Sequence, residues 1–139
     1  IPVFNEEKYI LEILKRVNLQ KKNYNLEIII SDDASTDKTL ELIKQNDHLY
    51  DKLIENKKNL GKGFAIINSL NEVSGEYLLI QDADLEYDPV DYEQLFFPAF
   101  KLNADVVFGS RFQGGSTKRI LYFKNIKKPD NKIQRFMIS

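Results

Sequence analysis

The sequence predicts an α/β fold in which a mostly parallel sheet is flanked by helices on both faces. Short apolar runs, typical of buried strands, alternate with segments whose apolar residues recur at helical spacing. The apolar runs are also followed by polar loops. This alternation favours parallel strands, because a helix between two strands carries the chain back to begin the next strand in the same direction.

The predicted order of elements is β-α-β-α-β-α-β-α-β. Strands are predicted at residues 1–4, 26–30, 52–55, 77–80 and 104–108. Helices are predicted at about 6–17, 36–45, 64–73 and 90–101. Asn5 is expected to cap the first helix, since Asn is a favoured residue at that position. The first strand is short and the chain begins without Met, so we expect a fragment that lacks its true N-terminus.

Composition excludes several kinds of function. The 139 residues suffice for one domain with a substantial core, and the net charge of −1 indicates no particular partner. The chain has no cysteine, which excludes disulfides, zinc–thiolate sites and thiol catalysis. The single histidine, His48, lies in a polar linker, so a nucleophilic triad is not expected. Nothing resembles a nucleic-acid reader, and no apolar run approaches the roughly 20 residues of a membrane span.

An acidic stretch follows the apolar run at 77–80. Acids occupy alternate positions at Asp82, Asp84, Glu86 and Asp88, and residues 76–93 contain seven acids without Lys or Arg. Like charges this close are unfavourable unless a positive group lies among them. Carboxylates suit hard cations, which predicts a Mg²⁺ or Mn²⁺ site. The alternatives are a solvated turn and an EF-hand, but an EF-hand needs Gly where Tyr87 stands.

The polar loops are expected to meet at one edge of the sheet, because open parallel sheets bind ligands outside the carboxyl ends of their strands. These loops carry Asn5-Glu6, Asp32-Asp33, Asn59 to Gly63, Asp82 to Glu86 and Ser110-Arg111. An Asp-x-Asp pair in such a place can bind a metal ion that also binds a diphosphate. Lys62, between two glycines, can meet an anion, and the alternative there is an ordinary turn into a helix.

A basic segment begins at Lys118. The segment contains seven Lys and Arg residues and a single acid, Asp130, and apolar residues are interleaved with them. This pattern suits an anionic surface such as a layer of lipid headgroups. The alternative is a solvated final helix with one apolar face.

Five motifs occur in order over residues 1–112. They are Ile-Pro-Val-Phe-Asn-Glu-Glu, Ser-Asp-Asp-Ala-Ser-Thr-Asp-Lys-Thr, Asn-Leu-Gly-Lys-Gly, Gln-Asp-Ala-Asp-Leu-Glu-Tyr-Asp-Pro and Gly-Ser-Arg-Phe. Together they resemble family 2 glycosyltransferases with the GT-A (Rossmann-like) fold. Within that family they look most like the polyprenyl-phosphate (dolichyl-phosphate) mannosyl- or glucosyltransferases. The resemblance weakens after Phe112, although Gly114-Gly115 still fits.

The resemblance implies roles for individual residues. The pocket for the base and ribose of a nucleotide-sugar would be lined by Pro2, Phe4, Glu6 and Asp33, with Lys62 near the nucleotide. Asp82 and Asp84 would bind Mg²⁺ or Mn²⁺ and so contact the donor, with Glu86 as a third ligand. Arg111, and also Arg119, would approach the acceptor phosphate. Asp82, Asp84 and Arg111 would then be the catalytic residues.

The resemblance also implies a reaction and a location. A hexose would move from a GDP-mannose or UDP-glucose type of donor to a polyprenyl (dolichyl or undecaprenyl) phosphate, with inversion and with a metal ion. The enzyme would lie on the cytoplasmic face of a membrane. Residues 1–112 would form the donor-binding core, with its first strand truncated, and 113–139 an incomplete acceptor-side segment. Two alternatives stay open: a family 2 transferase with a hydroxyl (glycan) acceptor, and a non-catalytic nucleotide-binding fragment.

Overall fold

The computed structural model describes residues 1–102, 104 and 107, and the backbone of two strands at 121–127 and 133–138. The chain divides into two compact units. The first consists of residues 1–73 and 82–85, and the second of residues 74–81 and 86–139. None of the helices within the described part of the chain is long and apolar enough to cross a membrane.

The first unit contains a parallel sheet. Its strands are β1 (Pro2–Val3), β2 (Ile29–Asp32) and β3 (Lys52–Glu55), in the order β1-β2-β3. Its helices are α1 (Ile10–Leu19), α2 (Thr39–Lys44) and α3 (Lys62–Ser69). A 3-10 turn follows each helix, at Gln20–Lys22, Asp47–Leu49 and Leu70–Glu72.

Both faces of this sheet are covered. Ile30 of β2 is fully buried and packs in a cluster with the apolar face of α1 and with Ile43 of α2. The next residue, Ser31, points to the opposite face, as successive residues of a strand do. Its hydroxyl donates a hydrogen bond of 2.9 Å to the carbonyl of Ala65 in α3. The prediction of a parallel sheet flanked by helices is therefore confirmed for this unit.

The second unit contains a mixed sheet and one helix. Its elements are β4 (Tyr77–Ile80), α4 (Tyr92–Lys101), β5 (Leu121–Lys127) and β6 (Ile133–Ile138), with a 3-10 turn at Pro89–Asp91 before α4. The order is β4-β6-β5, and β6 pairs parallel with β4 and antiparallel with β5. The alternative of a final helix after Lys118 is wrong, because the described backbone there forms strands. Most of the strand predicted at 104–108 lies outside the described residues.

β2 begins three residues later than the apolar run predicts. Leu26 and Ile28 are apolar, with Glu27 between them, yet the strand pairing starts at Ile29. The reason is Asp51, whose carboxylate accepts the Ile28 amide at 2.7 Å, so this amide bonds to a side chain instead of a neighbouring strand. Ser31 and Asp32, which were expected in the following loop, belong to the strand because they pair with both β1 and β3.

Asn5 does not cap α1. The helix starts at Ile10, and the residue before it, Tyr9, makes no side-chain cap. Instead the Asn5 side-chain oxygen accepts hydrogen bonds from the amides of Thr36 at 2.8 Å and Asp37 at 3.4 Å. The Asn5 amide donates in return to the Ser35 hydroxyl at 3.0 Å.

Three further hydrogen bonds complete this link, which we call the loop clasp (residues 5–7 with 35–39). The Glu6 amide donates to the Thr39 hydroxyl at 2.8 Å. The Glu7 amide donates to the Asp37 carboxylate at 3.2 Å, and the Lys38 amide donates to the Glu7 carboxylate at 3.1 Å. The clasp therefore fixes the loop after β1 against the loop after β2.

Substitution of Asn5 tests the clasp. Asn5 has a φ of 54°, a conformation that costs most residues other than Gly roughly 1–2 kcal/mol. Asn5→Ala should therefore lower the free energy of unfolding by about 2 kcal/mol, because it adds this strain to the loss of the acceptor. Asn5→Gly should cost about 1 kcal/mol less, and Asn5→Asp, which keeps the acceptor, should remain closest to wild type. Urea unfolding of the three variants measures this order, and equal stability of Asn5→Ala and wild type would contradict it.

Candidate functional site

A cavity of about 420 Å³ opens in the first unit where three loops of its sheet meet the start of the acidic stretch. This volume is in the range of small-molecule sites. The lining residues are Pro2, Val3, Phe4, Glu6, Asp33, Asn59, Gly61, Lys62, Ala65, Asp82, Ala83 and Asp84. The site thus lies at the carboxyl ends of β1, β2 and β3, where a parallel sheet is expected to bind a ligand.

Asp33 fixes the loop after β3. Its amide continues the strand pairing by donating to the Val3 carbonyl at 2.8 Å. Its carboxylate, in a residue only 2% exposed, accepts the amides of Leu60 at 3.1 Å and Gly61 at 2.6 Å. The Asn56 side chain donates a further bond of 2.8 Å. We call this set of contacts the Asp33 clamp.

The clamp favours the ionised form of the carboxyl group. Burial alone would raise the pKa of Asp33, but the hydrogen bonds from Asn56, Leu60 and Gly61 outweigh burial and lower its pKa below the ordinary value of 3.8. Gly61 adopts a φ of 90°, which favours glycine at the point where the loop turns into α3.

Two apolar residues pack residues 82–85 into the core of the first unit. Ala83, between Asp82 and Asp84, is 4% exposed and packs in the same core cluster as Ile30. Leu85 packs against that cluster as well. Since Ala83 is buried, the carboxylates on either side of it are held at the wall of the cavity, which both residues line.

Negative charge is concentrated around Glu6. Burial, followed by the neighbouring charges of Asp84, Asp37 and Asp82, raises the pKa of Glu6 above its ordinary value of 4.5. Glu6, Asp82 and Asp84 all line the cavity. Within the described part of the chain, however, no three acidic or histidine side chains form a ready-made metal cluster. Two carboxylates and a ligand that brings its own oxygens would still suit a Mg²⁺ ion.

Lys62 provides positive charge in the cavity. It is the first residue of α3, and its ammonium group forms an ion pair with Oδ1 of Asp82. The lysine side chain is 52% exposed and that of the aspartate 22%.

The structure brings together most of the residues predicted for the site. Seven line the one cavity: Pro2, Phe4, Glu6, Asp33, Lys62, Asp82 and Asp84. Glu86 belongs to the second unit, and Arg111 and Arg119 lie outside the described residues. No local pattern in the sequence indicated Asn56, whose side chain donates to Asp33 at 2.8 Å and accepts from the Asn68 side chain at 2.8 Å. The small size of Ala83 was the only sign that this residue is buried.

Asp33→Asn tests the clamp through its pH dependence. An amide cannot replace the carboxylate toward three donors, so we expect a loss of about 2 kcal/mol in unfolding free energy at pH 7. Because the pKa of Asp33 is lowered on folding, its stabilisation is present above pH 3.8 and disappears as the pH falls through the lower folded value. The deficit of the variant should therefore shrink below about pH 4.

Urea unfolding between pH 7 and pH 3 measures this deficit. Asp47→Asn is the matched control, because Asp47 is an exposed aspartate outside the cavity. A deficit that stays constant with pH, or a variant as stable as wild type at pH 7, would mean that the clamp does not stabilise the fold.

The chain matches the model of glycosyl transferase family 2 over residues 1–137. It is 30% identical over 128 residues to the dolichol-phosphate mannosyltransferase of Pyrococcus furiosus, across 91% of this chain and 36% of that protein. It is 34% identical over 134 residues to the dolichyl-phosphate beta-glucosyltransferase ALG5A of Trichomonas vaginalis, across 86% of this chain and 41% of that protein. The chain thus spans less than half the length of either relative.

Solved structures of S. aureus TarS also match this chain. The structure of residues 1–349 of S. aureus TarS in complex with UDP matches with a TM-score of 0.59 and 26% identity, over 77% of this chain and 32% of that chain. The complex of TarS with UDP-GlcNAc matches with a TM-score of 0.58 and 27% identity, over the same shares of 77% and 32%. A family model that covers nearly the whole chain and solved relatives with this α/β architecture together show that the chain belongs to glycosyl transferase family 2 and has the GT-A fold.

Proposed function

We propose that this chain is the donor-binding part of a metal-dependent, inverting transferase that moves a hexose from a nucleotide-diphosphate sugar to a polyprenyl phosphate. The observation that carries the proposal is the cavity in which loops from three parallel strands meet Asp82 and Asp84. The matched TarS structures contain UDP and UDP-GlcNAc, which supports a donor of the nucleotide-sugar class.

The apolar part of the cavity suits the nucleoside. Phe4 is 42% exposed although it lines the cavity, and an exposed ring is a surface on which a base can stack. Pro2 lies in β1 and Glu6 in the loop that follows it, where Glu6 can accept hydrogen bonds from ribose. Asp33 mainly stabilises the wall of this pocket and does not bind the nucleoside directly, because its carboxylate already accepts hydrogen bonds from Asn56, Leu60 and Gly61.

The acidic part of the cavity suits a divalent cation. Asp82 and Asp84 would hold Mg²⁺ or Mn²⁺, and phosphate oxygens of the donor would complete the coordination, as is usual for Mg²⁺. When bound, such an ion stabilises negative charge on the departing nucleoside diphosphate. The crowding of acids that raises the pKa of Glu6 fits this role, because a cation would relieve it. Glu86 stays a predicted third ligand.

The acceptor is inferred from the named relatives, which are a dolichol-phosphate mannosyltransferase and a dolichyl-phosphate beta-glucosyltransferase. A phosphate monoester is largely dianionic near pH 7, since its second pKa is about 6. It therefore needs no general base, which suits a cavity lined by no histidine among the described residues. One of its oxygens forms a bond to the anomeric carbon as the bond to the diphosphate breaks, and the bonding electrons leave with the nucleoside diphosphate.

Arg111 and Arg119 are proposed to bind the acceptor phosphate, as the resemblance implies. A guanidinium group presents paired donors that match phosphate oxygens. A membrane location follows from such an acceptor, because a polyprenyl chain resides in a lipid bilayer. The basic segment from Lys118 is proposed to meet the anionic surface of that bilayer.

Transfer is tested with the complete open reading frame that contains these residues. The protein would be incubated with labelled GDP-mannose or UDP-glucose, Mn²⁺ or Mg²⁺, and dolichyl or undecaprenyl phosphate. We expect a labelled lipid that partitions into organic solvent and requires the metal ion. Label on a glycan instead would identify a hydroxyl acceptor, and donor binding without any turnover would identify a non-catalytic module; either result overturns the proposed acceptor chemistry.

Asp82→Asn and Asp84→Asn test the proposed metal ligands. Each should weaken the binding of UDP or GDP in Mn²⁺ at least tenfold, because each removes a charged ligand. Neither should lower stability, since each removes a negative charge from a crowded group. Glu12→Gln, on the exposed side of α1, is the control and should bind as wild type. Unchanged nucleotide affinity in both aspartate variants, by calorimetry, would refute the assignment.

A further inference from the structure

The ion pair between Lys62 and Asp82 raises the question of how a metal ion reaches the acidic loop. The lysine ammonium group contacts Oδ1 of Asp82, the same carboxylate that is proposed to bind the cation. Among the described residues that line the cavity, Lys62 is the one basic residue, and four acids line the cavity with it: Glu6, Asp33, Asp82 and Asp84. An ammonium group and a divalent cation therefore compete for one carboxylate.

We propose that Lys62 is an exchangeable counterion. In the ligand-free protein it neutralises Asp82; when a divalent cation binds Asp82, the ammonium group is released and binds the diphosphate of the donor. This inference rests on the proposed function, and it adds a coupling between metal and nucleotide that neither residue would produce alone. Lys62 is thus assigned two successive partners, first a carboxylate and then a phosphate.

The lysine is the mobile member of the pair. Its side chain is 52% exposed and flexible, whereas Asp82 is 22% exposed and precedes the buried Ala83. The backbone beside Lys62 is fixed, because the Gly61 amide donates to Asp33 at 2.6 Å. The exchange therefore requires rotation of one side chain and no movement of the loop.

The charges in the ligand-free and metal-bound states explain why the metal ion binds before Lys62 contacts the diphosphate. A pair of opposite unit charges near the surface changes an equilibrium constant by about fivefold at most, so a divalent cation can readily replace the ammonium group. Once the cation neutralises Asp82, the ammonium group lies next to the incoming diphosphate, with which a charge-assisted hydrogen bond is stronger. Metal and nucleotide should therefore bind with positive coupling.

Lys62→Met gives opposite effects in two binding measurements. With the competing charge removed, Mn²⁺ alone should bind about twofold to fivefold more tightly. With the phosphate contact removed, UDP or GDP in saturating Mn²⁺ should bind about tenfold more weakly. Isothermal calorimetry of MnCl₂, and then of UDP and GDP, measures both. A solely structural role for Lys62 would not move the two affinities in opposite directions.

Two control variants show whether the changes in affinity come from the positive charge of Lys62. Lys58→Met removes a nearby exposed lysine that does not line the cavity, and both affinities should remain at wild-type values. Lys62→Arg keeps the positive charge, so its affinity for Mn²⁺ alone should stay near wild type. Circular dichroism of each variant verifies that it is folded, which is expected because both lysines are exposed.

The possible results separate this inference from the proposed function. If wild type binds Mn²⁺ and nucleotide but Lys62→Met shifts both affinities in the same direction, or neither, the exchangeable counterion is overturned and the proposed function stands. If wild type binds neither Mn²⁺ nor UDP nor GDP, both the inference and the proposed function are overturned. Tighter binding of Mn²⁺ together with weaker binding of nucleotide supports the exchange.

Discussion

The candidate site depends on one buried carboxylate. Asp33 stands where β2 ends, and a charge in that position is costly unless it is hydrogen-bonded. The amides of Leu60 and Gly61 and the side chain of Asn56 satisfy it. By doing so they fix the loop from which α3 begins, and therefore the position of Lys62. The hydrogen bonds that Asp33 accepts thus fix this wall of the cavity. They also fix the backbone of Lys62, the one basic residue among the described residues that line it.

The carboxyl group of Glu6, at the same site, is in an electrostatic environment opposite to that of Asp33. Asp33 is fully paired and its pKa is lowered, whereas burial and neighbouring carboxylates raise the pKa of Glu6. A paired acid stabilises the scaffold, and crowded acids favour a cation. Acids along the same sheet edge therefore differ in their surroundings: hydrogen bonds hold the carboxylate of Asp33, whereas that of Glu6 lies among other carboxylates.

The sequence predicted those features that depend on burial alone. The strands at 52–55 and 77–80 have the predicted bounds, because a run of about four residues is long enough for a strand and too short for a helix. The loops that meet at the cavity were also predictable, since parallel strands place their carboxyl ends at one edge. The family resemblance then added the assignment of Pro2 and Phe4, which no pattern of charge or periodicity would select.

Features that depend on pairing between distant residues could not be predicted. Asn5 has the sequence context of a helix cap, yet its partners lie 31 and 32 residues away in the next loop. The amide of Ile28 bonds to Asp51, 23 residues away, and this contact delays the start of β2. Asn56 has no local signal at all. In each case a side chain bonds to a specific group that only the folded chain brings near.

The most direct test of the central claim, that the acidic edge of the cavity binds a metal ion together with a nucleotide, is paramagnetic NMR. Small amounts of Mn²⁺ would be added to ¹⁵N-labelled protein with UDP or GDP, and line broadening falls steeply with distance from the ion. We expect the amide signals of Asp82 to Asp84, Glu6 and Lys62 to broaden first, and those of Glu12 and Asp47 to remain sharp. Broadening centred on Asp47 or Asp51, or spread evenly over the chain, would contradict the account.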